Sequence, residues 1–259
     1  MSLQADTASV AHDEFALEMS PEAMNNPTQF SLFQENFAKY MPSAQKTKRY
    51  EHIKRLRNAF HEYNFDFTSK VILCDETAHA RASSYLYEFE LEHVKKAGHL
   101  SIIYYAGHGW RSRDHDPSRE AYAYDLISEP ARRGDAPLPK GTFIMWERAE
   151  HILQEFKHDH LVILDCCDAG FLSNRGPRHA FEYLVACEGK KRTNEPGKHS
   201  FTTALIWALK KLKSEAPFTM LELKDRIERY EDFPTEQKPL VFARADHIAG
   251  PISFAPVAK

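Results

Sequence analysis

Two apolar runs of the sequence end in side chains that can do nucleophilic chemistry. The run Leu161–Leu164 leads, through an aspartate, to Cys166 and Cys167, and the run Leu100–Ala106 leads to His108. Consecutive aliphatic residues are typical of a strand that is covered on both faces. Because neighbouring parallel strands bring their carboxyl ends to one edge of a sheet, a thiol and an imidazole far apart in the chain can meet there.

A cysteine and a histidine together can form a nucleophile and its base. A free thiol with a pKa near 8.5 is mostly protonated at neutral pH, and the thiolate is the form that attacks. The glycines on either side of His108 allow the backbone to turn sharply and leave the ring uncrowded. We expect backbone N–H groups near Gly109 and Cys167 to bind a developing oxyanion. The plainer interpretation is a turn histidine beside cysteines that fill a core.

A zinc site is the metal alternative for the same side chains. Cys166, Cys167 and His108 are zinc ligand types, but adjacent cysteines chelate poorly compared with a Cys-x-x-Cys pair, and the sequence contains no second pair. A nucleotide site is also disfavoured, because Pro196–Ser200 lacks the upstream glycine of a phosphate-binding loop.

Alternating strand and helix patterns predict an α/β protein with a mostly parallel central sheet and helices on both faces. Apolar runs predict strands at 71–74, 100–106, 161–164, 183–187 and 240–244. Helical spacing predicts helices at 30–40, 44–60, 80–96, 142–156, 201–212 and 220–230. Residues 1–28 are predicted to be a mobile leader, and residues 110–140 a long irregular excursion.

The composition is that of an ordinary globular chain. Of its 259 residues 42% are hydrophobic and 27% charged, and 37 acidic residues against 34 basic ones give a net charge of -3. This balance argues against a general nucleic-acid or membrane-surface binder. No apolar run approaches the roughly 20 residues that cross a bilayer. The four cysteines lie in apolar contexts that favour free thiols in a reducing compartment, so we expect a cytoplasmic or nuclear protein.

The two motifs together resemble those of the caspase and metacaspase superfamily of cysteine peptidases. Tyr104–Gly109 is similar to the family's histidine motif, and Leu164–Gly170 is similar to its Asp-x-Cys-x-x-Gly motif, with Cys167 in the nucleophile position. Cys167 comes 59 residues after His108, near the interval of about 50 residues found in caspases. The similarity covers roughly residues 45–245 and is strongest to the caspase-like domains of fungi.

The resemblance implies a three-layer α/β/α sandwich with a mostly parallel central sheet. Residues 44–259 would form the peptidase domain, after a mobile or divergent N-terminal segment of residues 1–43. The implied activity is that of a cysteine endopeptidase in which His108 assists proton transfer and Cys167 attacks the peptide carbonyl. On sequence alone Cys166 remains a competing nucleophile, since adjacent strand residues point to opposite faces. Regulated cell death is the process that the resemblance suggests.

Asp165 and Gly109 are the predicted substrate-binding residues, Gly109 through its N–H group. In metacaspases the aspartate that matches Asp165 binds an Arg or Lys before the cut, whereas caspases have Gln there and cut after Asp, so we expect basic substrates. The plainer interpretation of Asp165 is a turn carboxylate. Relatives are often cleaved in the loop after the nucleophile strand, and Arg175 and Arg178 are the predicted self-cleavage sites, with Lys190–Arg192 in the next loop.

We predict no cofactor and no metal ion. The metacaspase calcium site uses an Asp pair that the matching run Ser118–Asp125 lacks, although Asp114, Asp116 and Asp125 could bind an ion weakly. The expected partners are protein or peptide substrates, with neither nucleic acid nor membrane, and a homodimer is left open.

Departures from the family pattern leave an alternative open. The aliphatic first strand of the family is not evident, and Phe15–Met19 or Phe30–Phe33 are the candidates to replace it. The second pocket acid of metacaspases has only Glu51 as a counterpart. Since fold does not imply function, a catalytically inactive caspase-like regulator or interaction scaffold is the alternative to an active peptidase.

Overall fold

The structure, a computed structural model, describes residues 28–36, 43–73, 75–93, 100–111, 124–127, 143–156, 158–174, 181–243 and 251–257. Within these ranges the strands are β1 (Thr28–Asn36), β2 (Asp66–Leu73), β3 (Leu100–Ala106), β4 (His108–Arg111), β5 (Tyr124–Ile127), β6 (Phe143–Met145), β7 (Asp159–Asp165), β8 (Phe181–Val185), β9 (Phe218–Thr219), β10 (Leu240–Ala243) and β11 (Ser253–Phe254). The α-helices are α1 (Ser43–His61), α2 (Ala78–His93), α3 (Trp146–Gln154), α4 (Phe201–Leu212) and α5 (Met220–Glu228).

Six strands form the central sheet, in the spatial order β10, β8, β7, β3, β1 and β2. Every neighbouring pair is parallel except β10 with β8, which is antiparallel. Two small antiparallel sheets accompany it, one of β4, β5 and β6 and the other of β9 and β11. The predicted α/β class with a mostly parallel sheet is therefore confirmed.

Side chains of the inner strands alternate between the two faces of the sheet, because successive strand residues point in opposite directions. On one face Tyr104 and Ile163 belong to a core shared with α1, α4 and α5. On the other face Tyr105 and Leu164 belong to a core shared with α2 and α3. Helices thus cover both faces, an arrangement compatible with a three-layer sandwich.

The inner strand β1 comes from a segment that the sequence predicts to be helical. Thr28–Asn36 is paired with β2 on one side and with β3 on the other. The helix prediction for residues 30–40 is wrong over residues 30–36, because local spacing is only a weak preference, which pairing on both sides overrides; residues 37–40 lie outside the described ranges. Of the two candidates for the first strand, Phe30–Phe33 occupies an inner position of the sheet. The sheet therefore takes in residues that the sequence assigns to the N-terminal segment 1–43.

Most other elements lie within a few residues of their predicted ends, and α4 has the predicted bounds. Two regions differ. The helix predicted at 142–156 is wrong over its first residues, which form strand β6, and α3 begins at Trp146. The excursion predicted at 110–140 contains the end of β4 and all of β5. In the ranges that the structure describes, no helix combines the length and apolar character needed to cross a membrane.

Proline at the centre of β1 should disrupt the central sheet. Leu32 is paired with Ser69 of β2 and with Tyr104 of β3, and proline has no N–H to donate to either neighbour. We expect Leu32→Pro to lower the free energy of unfolding by at least about 1–3 kcal/mol, the cost of an unsatisfied buried acceptor. Urea titration followed by circular dichroism measures this change.

The comparison is Leu17→Pro, in the rival candidate segment Phe15–Met19, which lies outside the described residues. A larger loss of stability in Leu17→Pro than in Leu32→Pro would contradict the placement of the inner strand.

Candidate functional site

The register of β3 and β7 brings the two sequence motifs to the same edge of the sheet. Ala106, the last residue of β3, is paired with Asp165, the last residue of β7. His108 and Cys167 each follow their strand by the same interval, so both leave the sheet at its carboxyl edge. A hydrogen bond of 3.3 Å from the N–H of Gly107 to the carbonyl of Asp165 joins the two chains just beyond the strand ends.

A cleft at this edge contains the three main predicted site residues. Cys167, His108 and Asp165 all line it. Tyr104 of β3 also lines it, and other parts of the chain contribute further lining residues, among them His52, Glu195, Ser200 and Thr202. The structure thus brings together the side chains that the two motifs predict to meet.

The two adjacent thiols have opposite environments. Cys166 is fully buried in the core beneath α2 and α3, and burial raises the pKa of its thiol well above the usual range. Cys167 is only partly buried and lines the cleft, with its Sγ 4.0 Å from Oγ1 of Thr193. Of the two candidate nucleophiles, Cys167 is therefore the one that a substrate can reach.

The same arrangement disfavours the zinc alternative. Cys166 faces the core while Cys167 faces the cleft, so the two thiols do not converge on one ion beside His108. Among the described residues, no group of metal-ligand atoms that includes these three side chains is close enough to hold an ion.

Asp165 is held inside the cleft by two hydroxyl groups. The Thr202 hydroxyl donates a short hydrogen bond to Oδ2 of Asp165, and the Tyr104 hydroxyl donates a second one of 3.4 Å to the same oxygen. The two hydroxyl oxygens are 2.6 Å apart. Burial, reinforced by the charge of Asp165, raises the pKa of Tyr104 well above its usual range, so Tyr104 stays a donor. A carboxylate fixed in this way can receive a cationic side chain.

Tyr124 of β5, which no sequence signal identifies, supports the turn that contains Cys167. Its hydroxyl donates a short hydrogen bond to the carbonyl of Cys167 and lies 3.3 Å from Sγ of Cys166. Gly109 packs on the same groups, since a Cβ at that position would lie 1.9 Å from the Tyr124 hydroxyl and 2.9 Å from the Cys167 carbonyl oxygen. Gly109 is therefore needed for the close approach of β4. It is not among the residues that line the cleft, and its predicted contact with substrate stays a prediction.

The segment after β8 fixes the other side of the same turn. The N–H of Asp168 donates to the carbonyl of Lys191 at 3.1 Å, and the N–H of Gly170 donates to the carbonyl of Cys187 at 3.2 Å. The thiol of Cys187 donates to the carbonyl of Cys166 at 3.6 Å, and burial raises the pKa of Cys187 to about 12. Asp168 adopts a φ of 60°, a left-handed conformation that aspartate tolerates better than most residues.

Besides His108, Cys167 and Tyr104, the ionisable side chains that line the cleft in the described part of the chain are two acids and an uncharged histidine. Asp165 and Glu195 supply the carboxylates. His52 lines the cleft from α1, and burial, together with the charge of Arg55, lowers its pKa to about 4, so the ring is neutral at neutral pH. Glu51, the expected second pocket acid, is exposed and is not among the lining residues. This balance of charge favours a cationic group in the cleft.

Several predicted residues lie outside the described ranges. They are Arg175, Arg178, Asp114 and Asp116, so self-cleavage and weak calcium binding stay predictions. Asp125 is buried in β5. Lys190–Arg192 is exposed in the loop after β8.

Comparisons with known proteins assign no family. The chain matches no protein-family model, and a search of curated proteins gives no match either. The function therefore has to be argued from the cleft and its residues.

Gly109→Ala should disturb the turn that contains Cys167. The added methyl group would collide with Tyr124 and with the carbonyl of Cys167, and overpacking of this kind costs about 1–3 kcal/mol. We expect a loss of that size in the free energy of unfolding, measured by urea denaturation. Gly197→Ala is the matched control, because the nearest atom to its Cβ would be 3.8 Å away. Equal stabilities of the two variants would show that β4 does not pack on the turn as described.

Proposed function

We propose that this chain is a cysteine endopeptidase of the caspase and metacaspase type, which hydrolyses peptide bonds after Arg or Lys. The observation that carries the proposal is the cleft shared by Cys167, His108 and Asp165 at the carboxyl edge of the β3–β7 pair. A nucleophile, a base and an anionic selector are the groups that this reaction needs. The resemblance of the two motifs and the compatibility of the fold with a three-layer sandwich support the same activity.

The proposed reaction uses Cys167 as nucleophile and His108 as base. His108 takes the thiol proton, Sγ bonds to the substrate carbonyl carbon, and the carbonyl oxygen takes the negative charge. When this intermediate collapses, the C–N bond breaks and His108 gives its proton to the leaving amine. A water molecule activated by His108 then attacks the thioester, which releases the acid and restores the thiol. Cys166 and Cys187 take no part, because burial raises the pKa of both thiols and keeps them protonated.

Asp165 is the proposed selector for a basic residue before the cut. Its carboxylate is anchored by Thr202 and Tyr104, so the negative charge has a fixed position in the cleft. A charge-assisted hydrogen bond to Arg or Lys is worth about 1.5–3 kcal/mol. The neutral ring of His52 adds no opposing positive charge.

Two departures from the family pattern support the alternative, an inactive caspase-like scaffold. They are the first strand, which is not evident in the sequence, and an altered substrate pocket. Strand β1 fills an inner position of the sheet, between β3 and β2, which removes the first of these arguments. The pocket still differs from the metacaspase pattern, with His52 lining it in place of Glu51. Cys167 is only partly buried and lines the same cleft as His108, which favours the active peptidase.

Fluorogenic peptides with Arg, Lys, Asp or Leu before the cut test the activity. We expect cleavage after Arg and Lys, no cleavage by Cys167→Ala, and a rate about 10²–10⁴-fold lower in His108→Ala, as the loss of a general base implies. His151→Ala, which changes an exposed histidine on α3, is the control and should keep the full rate. Cleavage after Asp would contradict the role of Asp165.

Failure to cleave any of the peptides would favour the scaffold. Thiol labelling then distinguishes an inactive protein from an active peptidase whose substrate sequence is missing from the peptide set. An electrophile should modify Cys167 stoichiometrically, and His108→Ala should abolish this modification while His151→Ala leaves it unchanged. Ordinary thiol reactivity that does not respond to His108→Ala would support the scaffold.

Asp165→Asn should reduce the preference for Arg over Leu before the cut. The change keeps the shape of the side chain and removes its charge, and we expect the ratio of the two kcat/KM values to fall roughly 10- to 100-fold. Asp159→Asn is the matched control, because Asp159 is exposed at the opposite end of the same strand. An unchanged ratio in Asp165→Asn would remove Asp165 from the selector role while leaving the nucleophile assignment intact.

A further inference from the structure

Three ionisable side chains meet at the amino end of the β3–β7 pair, away from the cleft. His160 lies in β7 and is paired with Ser101 of β3, His158 precedes β7, and Glu90 belongs to α2. Glu90 and His160 are fully buried, and His158 is only 8% exposed. None of the residues in this Glu–His–His cluster has a part in the proposed peptidase reaction.

The ligand-type atoms of the cluster lie close together. Nε2 of His158 is 2.9 Å from Oε2 of Glu90, and Nε2 of His160 is 3.5 Å from Oε1 of Glu90. One ligand atom from each of the three residues lies within 4.8 Å of the others. The Ser101 hydroxyl is 2.9 Å from Nε2 of His158 and 3.3 Å from Oε2 of Glu90. Nitrogen and oxygen atoms of four residues thus lie close to one another in the protein interior.

Hydrogen bonds within the cluster leave several of its buried atoms unsatisfied. In the described part of the chain, Nε2 of His160 and Oε1 of Glu90 meet at 3.5 Å, beyond ordinary hydrogen-bond distance, and neither atom has another hydrogen-bond partner. Each buried polar group without a partner costs about 1–3 kcal/mol, and native structures contain few of them. A divalent cation between the carboxylate and the two rings would engage Oε1 of Glu90 and Nε2 of His160, and would neutralise the buried charge.

We infer that Glu90, His158 and His160 bind a divalent transition-metal ion, for which Zn²⁺ is the best match. Two imidazoles and one carboxylate form a zinc ligand set. Zinc–ligand bonds of about 2.0–2.2 Å in a tetrahedron place the ligand atoms roughly 3.3–3.5 Å apart. The separations of 2.9 and 3.5 Å between Glu90 and the two rings are close to this spacing. Ser101 is placed to supply a fourth oxygen.

The burial of the cluster indicates a structural role for the ion. A catalytic zinc keeps one position open to water or substrate, whereas the three ligand residues here are at most 8% exposed. An ion at this place would join α2 to the first residues of β3 and β7. Because it binds the folded chain and not the unfolded one, it would stabilise the fold.

Zinc binding by the purified full chain tests this inference. After a chelator has removed metal, equilibrium dialysis against Zn²⁺ should give one bound equivalent, and Zn²⁺ should raise the midpoint of thermal unfolding. Glu90→Gln and His160→Ala should each lower the zinc affinity at least about 100-fold, since even the loss of a second-shell partner costs about 10–100-fold. The matched controls Glu92→Gln on α2 and His151→Ala on α3 change exposed residues and should bind zinc like the unaltered chain.

Two further measurements decide between the cluster and the cleft. Cys167→Ala and His108→Ala should retain the zinc, and loss of zinc in either variant would place it in the cleft and overturn the inference. If a variant of the cluster does not fold, X-ray absorption at the zinc edge of the unaltered chain still identifies the atoms bound to the ion. A shell of nitrogen and oxygen supports the site, whereas a sulfur neighbour or a chain that binds no zinc overturns it.

Discussion

The parallel pairing of β3 with β7 is the constraint on which the cleft depends. The pair lies inside a six-stranded sheet and is covered on both faces, so a slip of one residue would turn every side chain of a strand to the wrong face. Such a slip would bring Cys166 to the cleft and bury Cys167. Because Ala106 and Asp165 are paired as the last residues of their strands, the position of the reactive groups is set by backbone hydrogen bonds rather than by contacts between the reactive groups themselves.

The turn that contains Cys167 is held by separate parts of the chain. Gly109 brings β4 against it, Tyr124 reaches it from β5, and Lys191 accepts its backbone hydrogen bond from the loop after β8. Burial raises the pKa of Tyr124 well above its usual range, so its hydroxyl remains a donor at physiological pH. The carbonyl of Cys167 is therefore held in place by these contacts, which in the proposed reaction would lower the entropy that must be lost.

The sequence predicts the apolar strands and the short motifs better than it predicts their supports. Strands β3 and β7 and helix α4 are predictable because their apolar pattern and their burial agree. Strand β1 is predicted only as one of two candidate segments, because the polar residues Gln29, Ser31 and Gln34 interrupt the continuous apolar run expected of an inner parallel strand. Local patterns carry no record of contacts between distant parts of the chain. Tyr124 meets Cys167 across 43 residues, from a region whose pattern predicts an irregular excursion.

The buried Glu–His–His cluster and the cleft occupy opposite ends of the same strand. His160 and Asp165 are separated by the length of β7, which at about 3.3 Å per residue is roughly 16 Å. With an effective dielectric constant of about 20, one unit charge acts on another at that distance with about 1 kcal/mol. This energy corresponds to less than about one pKa unit. A change of charge at one end of β7 therefore alters ionisation at the other end only slightly, and substitutions at the two ends can accumulate independently as long as the strand keeps its register.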